Sequence, residues 1–333
     1  MKIALVGPGI IEIPPKGWGA VESLIWDYAT ELGELGHEGT IINTPDRSQI
    51  IRDLCKEEYD YIHVHYDVFY DIMDYIHKAC PNAKLAISSH YPYIDQPDRH
   101  PYDGYDKIYK WLINNDKYYN FCISYKDYET YKKDDAPLNK LLVCPNGAQH
   151  RHYNFEEKSS KPDKTIYLGK IEPRKRQYVY QAIPDIEFVG HYTNTTSFDK
   201  DAESYLGEWT HQHKLQHVTD YGNMLLLSDG ENGTPLVIKE ALISGLGVVV
   251  SKYAAHDLDK SLPFVTVIPD DKWNDIEYVE QELKKNREIS ITMRKEIRQY
   301  GIDNFSWQKL VKTYVENIAV SYTHLTLPTI YSV

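Results

Sequence analysis

The stretch that most constrains the fold is LLLSDGENGTPLVIKEALISGLGVVV, Leu225 to Val250, which reads strand, polar loop, helix, strand. Leu225–Leu227 is an apolar β run, and Ser228–Gly233 is a turn cluster of Gly, Asp and Asn. Thr234 and Pro235 read as an N-cap followed by proline at the first helical position. The helix continues over Leu236–Ile243 and stops at Gly245 or Gly247, ahead of the buried strand Val248–Val250. Backbone N–H groups of Gly233 and Thr234, with a helix start at Pro235, suit an anion such as a diphosphate. Glu231 and Glu240 bracket the loop and could take sugar or ribose hydroxyls. On spacing alone, an ordinary βαβ crossover with solvated acids accounts for the same residues.

A second unit of this kind opens the chain. Ile3–Gly7 is a buried strand, GPGIIEIPPKGWGA a Gly/Pro-rich loop, and Ala20–Leu35 a helix ended by Gly36. Val21, Leu24, Ile25, Tyr28, Leu32 and Leu35 share one helical face, and the strand Thr40–Asn43 follows. Such repetition predicts doubly wound α/β domains. Glu12 stands where a dinucleotide fingerprint has its third glycine after Gly7-x-Gly9, which argues against a nicotinamide oxidoreductase. Gly17 and Gly19 instead allow the backbone to approach a ligand at the helix start.

A chain of 333 residues, 42% hydrophobic and 26% charged, is long enough for two globular domains. Glu156–Lys164, charged and poor in apolar residues, is the linker candidate, and Thr165–Leu168 begins a second strand series. Just past that strand, Lys170, Arg174, Lys175 and Arg176 cluster in a chain of net charge −12. Phosphates need such cations, and a helix start disfavours them unless an anion is present. The overall acidity argues against tight non-specific binding to DNA or anionic membrane. Four scattered cysteines without a CxxC suit a reduced, cytoplasmic chain, and no apolar run approaches ~18 residues. Met1 leads straight into the first strand, so no signal peptide is expected. The His63/His65 and His213/His217 pairs lack a third ligand, and Asp257-Leu258-Asp259 lacks the strand context of a metal site, so no metal is expected. The 29 tyrosines carry no repeat and read as half-buried packing.

The Leu225–Val250 stretch resembles the donor-site signature of retaining GT-B glycosyltransferases of family 4: Glu, seven residues, Glu at a helix head, then Ala and a Gly before a Val-rich strand. Glu240-Ala241-Leu242 matches the second half. Counting back eight positions from Glu240 gives Asn232, with Glu231 one further upstream. Either the loop carries one extra residue and Glu231 serves, or Asn232 replaces the acid. PPKGWGAVE, ELGHEGT, CPNGAQHRHYNF, YLGKIEPRKRQ and NFSWQKLVKTYVENI resemble further family segments in the right order across residues 1–320. The resemblance implies a GT-B fold: two Rossmann-like, doubly wound α/β domains facing across a cleft. It divides the chain into 1–155 on the acceptor side, 156–305 on the donor side and a helix at 306–320 crossing back. Residues 321–333 share no pattern with that helix and are expected to be a non-native tail.

By the same resemblance, His90 contacts the sugar, and Gly169, Lys170 and Lys175 surround the donor diphosphate, with Lys170 where Arg is usual. Glu240 holds the ribose and Glu231 or Asn232 the sugar, while Gly17 and Gly19 face the cleft. Tyr91–Tyr105, rich in Pro, Asp and Tyr, reads as a long cleft-side loop for the acceptor. The implied activity is metal-independent, retaining transfer of a hexose, glucose first, from a UDP-linked or other nucleoside diphosphate sugar to a hydroxyl acceptor, with no cofactor. The acceptor class (glycan, small molecule or modified DNA) stays open. The rivals are a glycosyltransferase of hydroxymethylated phage-type DNA, a nucleotide-sugar epimerase and a non-catalytic sugar-nucleotide binding protein.

Overall fold

The computed structural model describes residues 1–323. The first sheet is wound from β1 (Lys2–Gly7), α1 (Ala20–Glu34), β2 (Glu38–Asn43), α2 (Arg47–Leu54) and β3 (Tyr61–Val64). It continues through α3 (Met73–Ala79), β4 (Lys84–Ile87), α4 (Tyr105–Asn114), β5 (Tyr119–Cys122), α5 (Tyr125–Lys133) and β6 (Leu141–Val143). The second sheet comprises β7 (Lys161–Leu168), α6 (Gln177–Tyr180), β8 (Ile186–Val189), α7 (His211–His217), β9 (Tyr221–Leu226), α8 (Leu236–Ile243), β10 (Gly247–Val250) and β11 (Val265–Val267). Three helices close the chain: α9 (Ile276–Thr292), α10 (Arg294–Phe305) and α11 (Trp307–Thr323).

All strands pair in parallel, in the orders β2-β1-β3-β4-β5-β6 and β11-β10-β9-β7-β8. Parallel strands are covered on both faces, which is why β3, β9 and β10 read as continuous buried runs rather than alternating ones. One core of the first half gathers Ile62, Val64, Phe69 and Leu112 on one face of the sheet. On the other face Ile3, Leu5, Leu24 and Tyr28 meet Trp307, Val311, Tyr314 and Ile318 of α11. The last helix, arriving from the second sheet, thus completes the core of the first.

Three details differ from the sequence expectation. Strand β7 starts at Lys161, inside the supposed linker Glu156–Lys164. Its charged beginning still pairs with β9 across a bulge, and Lys161 ion-pairs with Glu187 at 2.7 Å. The helical run Ile276–Tyr300 is two helices that break at Met293. Helix α11 reaches Thr323, three residues into the expected tail; the rest of that stretch, 324–333, lies outside the described residues. No helix among the described residues is long and apolar enough to cross a membrane.

Candidate active site

Ligands of open α/β sheets bind beyond the carboxyl ends of the strands, where the strand order reverses. In the first sheet the reversal lies between β1 and β3, in the second between β7 and β9. Both sheets turn these ends towards one cleft, which holds a cavity of about 650 Å³. The loop from β1 to α1 reaches across to the second half. His211 N–H donates to the Lys16 carbonyl at 3.0 Å, and the Trp18 ring stacks on His191 at 5.4 Å. The Trp18 amide donates to Glu208 at 3.4 Å.

Basic side chains line the second-half wall. Gly169 ends β7 with φ +155° and Gly190 ends β8 with φ +152°; a Cβ on Gly190 would overlap the Gly169 carbonyl. Only glycine allows the two strand ends to run so close. Lys175 packs beneath this turn, its Nζ 3.0 Å from where a Gly169 Cβ would stand. Burial pushes the Lys175 ammonium below its ordinary pKa, with Glu231 opposing. No hydrogen bond or ion pair holds Lys175 Nζ among the described residues; Lys170 Nζ has only the Trp18 ring, 5.8 Å away. By contrast Arg174 is committed to Glu172 and Glu231, each at 2.7 Å. Burial works against its charge, but those carboxylates outweigh it and hold its pKa above the ordinary value.

The 231–240 region divides in two. Leu236 and Val237, the first residues of α8, line the cavity, and helix starts leave such amides without intrahelical acceptors. Glu240 lines it too, paired with Lys214 at 2.7 Å and with its other oxygen buried and unpartnered. Glu231, Asn232, Gly233, Thr234 and Pro235 do not reach the cavity wall. The expected cap shifts by one residue, since Pro235, not Thr234, is the N-cap. Thr234 is instead locked to Asp257: its N–H donates to Oδ2 at 2.9 Å, and the Asp257 N–H donates to Thr234 Oγ1 at 3.1 Å. The Asp257 carboxylate thereby occupies the amide expected to meet the donor phosphate.

The same loop fastens the two halves together. Asn232 Nδ2 donates to the Ser89 carbonyl at 3.2 Å, and Ser124 Oγ donates to Asn232 Oδ1 at 3.3 Å. Gly233, at φ +72°, lies against Ser124. Tyr93 Oη and Arg99 both reach Asp229, at 2.9 and 3.0 Å, while Lys126 donates to the Glu231 carbonyl at 3.1 Å. Buried Lys239 donates to the Asn146 carbonyl at 2.6 Å. Asn232 is therefore a bridge, and Glu231 sits behind the basic wall through Arg174.

Opposite lie His90, Gly17 and Gly19, together with Asp67, Asp103 and the rings of Tyr66, Tyr91 and Tyr105. His90 Nε2 is buried without a partner, and burial lowers the ring's pKa to about 4, so it is neutral at pH 7. Behind it His65 stacks on His90 at 6.2 Å and meets His63 in a tilted contact at 3.8 Å; His63 is held by Ser88 at 2.8 Å and Tyr314 at 3.1 Å. This pair is core structure at a strand end, and among the described residues no group of three or more His, Cys, Asp or Glu is placed to hold a metal. His213 and His217 meet ring to ring, tilted, at 4.2 Å on α7. Sequence reasoning missed Asp67, the Trp18–His191–Glu208 seal and the Asp229 bridge; none lies in a spaced motif, and each acquires its role through a distant partner.

Two parallel sheets facing across a cleft, with a closing helix that returns to the first, define the GT-B fold. No protein-family model matches the chain, and no curated protein matches it. Among solved structures it is similar to AviGT4, a glycosyltransferase involved in avilamycin A biosynthesis, at TM-score 0.66 and 16% identity over 97% of this chain and 98% of that one. It is also similar to sucrose-phosphate synthase from Thermosynechococcus elongatus (0.75, 13%, 97% and 99%) and to Anabaena HepE in complex with UDP-glucose (0.66, 14%, 97% and 100%).

Proposed function

We propose that this protein is a glycosyltransferase that moves a hexose, glucose first, from a nucleoside diphosphate sugar to an acceptor hydroxyl with retention at the anomeric carbon. The observation that carries the reading is Lys170 and Lys175: two lysines whose ammonium groups make no ion pair or hydrogen bond among the described residues, at the strand ends of a GT-B cleft, in a chain of net charge −12. The bound UDP-glucose of HepE makes UDP the first donor nucleotide to test.

In this reading the acceptor oxygen bonds to the anomeric carbon as the bond from that carbon to the β-phosphate oxygen breaks, on the same face. The electron pair leaves with the diphosphate, and the hydroxyl proton passes to the departing phosphate oxygen. Lys170, Lys175 and the first amides of α8 stabilise that charge, which lets the site work without a metal. Glu240 takes the ribose hydroxyls, neutral His90 a sugar hydroxyl, and Gly17, Gly19 and Gly169 let backbone approach the donor. Glu231 acts as a positioning residue by fixing Arg174, and Asn232 holds the closed arrangement of the cleft.

A thermal-shift panel of UDP-, GDP- and ADP-glucose in EDTA, beside NAD, tests the reading. One nucleotide family should raise the melting temperature by several degrees, since saturating ligand stabilises by about 3 kcal/mol at 100 Kd. No shift with any sugar nucleotide would refute it.

A further inference from the structure

Cations, though not acids, are segregated across the cavity, since Glu172, Glu208 and Glu240 also line the second-half wall. Every basic residue among the described lining, Lys170, Arg174, Lys175 and Lys214, belongs to the second-half wall. The lining from the first half carries three carboxylates, Glu22, Asp67 and Asp103, with no Lys or Arg. Its histidine, His90, is held neutral by burial. A phosphate or carboxylate on the acceptor would face carboxylates there with no cation to offset them, at a cost that low local dielectric magnifies.

The rest of that wall is aromatic. Tyr91 and Tyr105 stack at 3.6 Å with 12° between their planes, and Tyr66 completes a ring surface. Among these rings Asp67 is 6% exposed, and its Oδ2 is buried with no hydrogen-bond partner. Burial raises the carboxyl to about 6, while the Ser89 hydroxyl, the backbone amides of Asp67 and Val68 and the Tyr105 hydroxyl hold it down. A buried carboxylate oxygen without a donor is costly, and a ligand hydroxyl would supply the donor. Apolar rings around a few placed polar groups are what a hydroxyl-rich ring requires.

Resting on the glycosyltransferase reading, we propose that the first-half wall is an acceptor site for an uncharged sugar or polyol, with Asp67 accepting one of its hydroxyl groups. Nucleic acid, sugar phosphates, uronic acids and lipid phosphates are excluded by the same wall. Asp103 at the rim, tied to Tyr91 Oη at 2.6 Å and to the Tyr105 amide at 2.9 Å, sets the sign of the entrance.

The test uses the full chain and whichever sugar nucleotide raises its melting temperature. Transfer is followed by mass spectrometry to paired acceptors: methyl glucoside and maltose against glucose 6-phosphate, methyl glucuronide and a hydroxymethylcytosine oligonucleotide. Transfer to the neutral sugars only is expected. Asp67→Asn should raise the KM of the neutral acceptor about 10- to 100-fold while leaving donor affinity unchanged. Asp103→Lys should improve use of the phosphate-bearing partner relative to the neutral one. An anionic acceptor used as well as its neutral counterpart would overturn the proposal. So would donor hydrolysis with no neutral sugar glycosylated, or an Asp67→Asn enzyme with unchanged KM. Failure to bind any sugar nucleotide would instead remove the underlying reading, and this proposal with it.

Discussion

Replacing Lys175 with Met should move stability and donor affinity in opposite directions. The ammonium is pushed below its ordinary pKa by burial, and no hydrogen bond or ion pair holds it among the described residues. A lysine whose folded pKa lies below its unfolded one costs stability at every pH below the unfolded value, because the native state disfavours the charge. Met keeps the stem's packing and removes that cost, so the ligand-free variant should melt at or above the wild-type temperature. Donor binding behaves otherwise. A unit charge pair at about 4 Å is worth roughly 4 kcal/mol at an effective dielectric of 20. If Lys170 shares the diphosphate equally, the loss is about 2 kcal/mol, or roughly 30-fold in Kd. Calorimetric titration of the active sugar nucleotide, beside unfolding scans of the free protein, reads both quantities. A Kd within threefold of wild type would refute the phosphate role. A melting temperature several degrees lower would refute the account of Lys175 as a strained, ligand-directed cation.

Three further outcomes are expected. Burial holds His63 near pKa 3, below its ordinary 6.5, so its contribution is present above pH 6.5 and lost as pH falls towards 3. The stability difference between wild type and His63→Gln should shrink by about 2 kcal/mol from pH 7 to pH 5 in urea titrations, and a pH-independent difference would contradict this. Arg99→Ala removes the ion pair to Asp229 across the cleft; it should cost only about 1 kcal/mol yet speed hydrogen exchange in the loops around Tyr93 and Asp229, and unchanged exchange would show the bridge to be idle. Gly190→Ala drives a methyl into the Gly169 carbonyl at a positive φ and should destabilise the second half by about 2–4 kcal/mol in denaturant unfolding, whereas a neutral variant would mean the two strand ends are not held so close.

What could be read from the chain beforehand follows the range of the forces involved. Strand and helix identities depend on local hydrophobic period and on Gly and Pro, so both βαβ units and the apolar stripe of α11 were legible. Linker and cap assignments failed where a distant partner overrode local preference. Lys161 looked like linker until Tyr221 paired with it, and Thr234 looked like a cap until Asp257 took its amide. The choice between Glu231 and Asn232 had the same character. Spacing offered both for one position, yet in the folded chain their side chains leave the loop in different directions, one to Arg174 and one to Ser89 and Ser124. Sequence counting could not separate them, because what distinguishes them are contacts to residues far away in the chain. Substitution can: Asn232→Ala should loosen closure of the cleft, whereas Glu231→Gln should remove one of the two ion pairs of Arg174, leaving the one to Glu172, and change donor binding. A common phenotype for the two variants would mean that the loop acts as one unit and that Glu231 and Asn232 do not have separate roles.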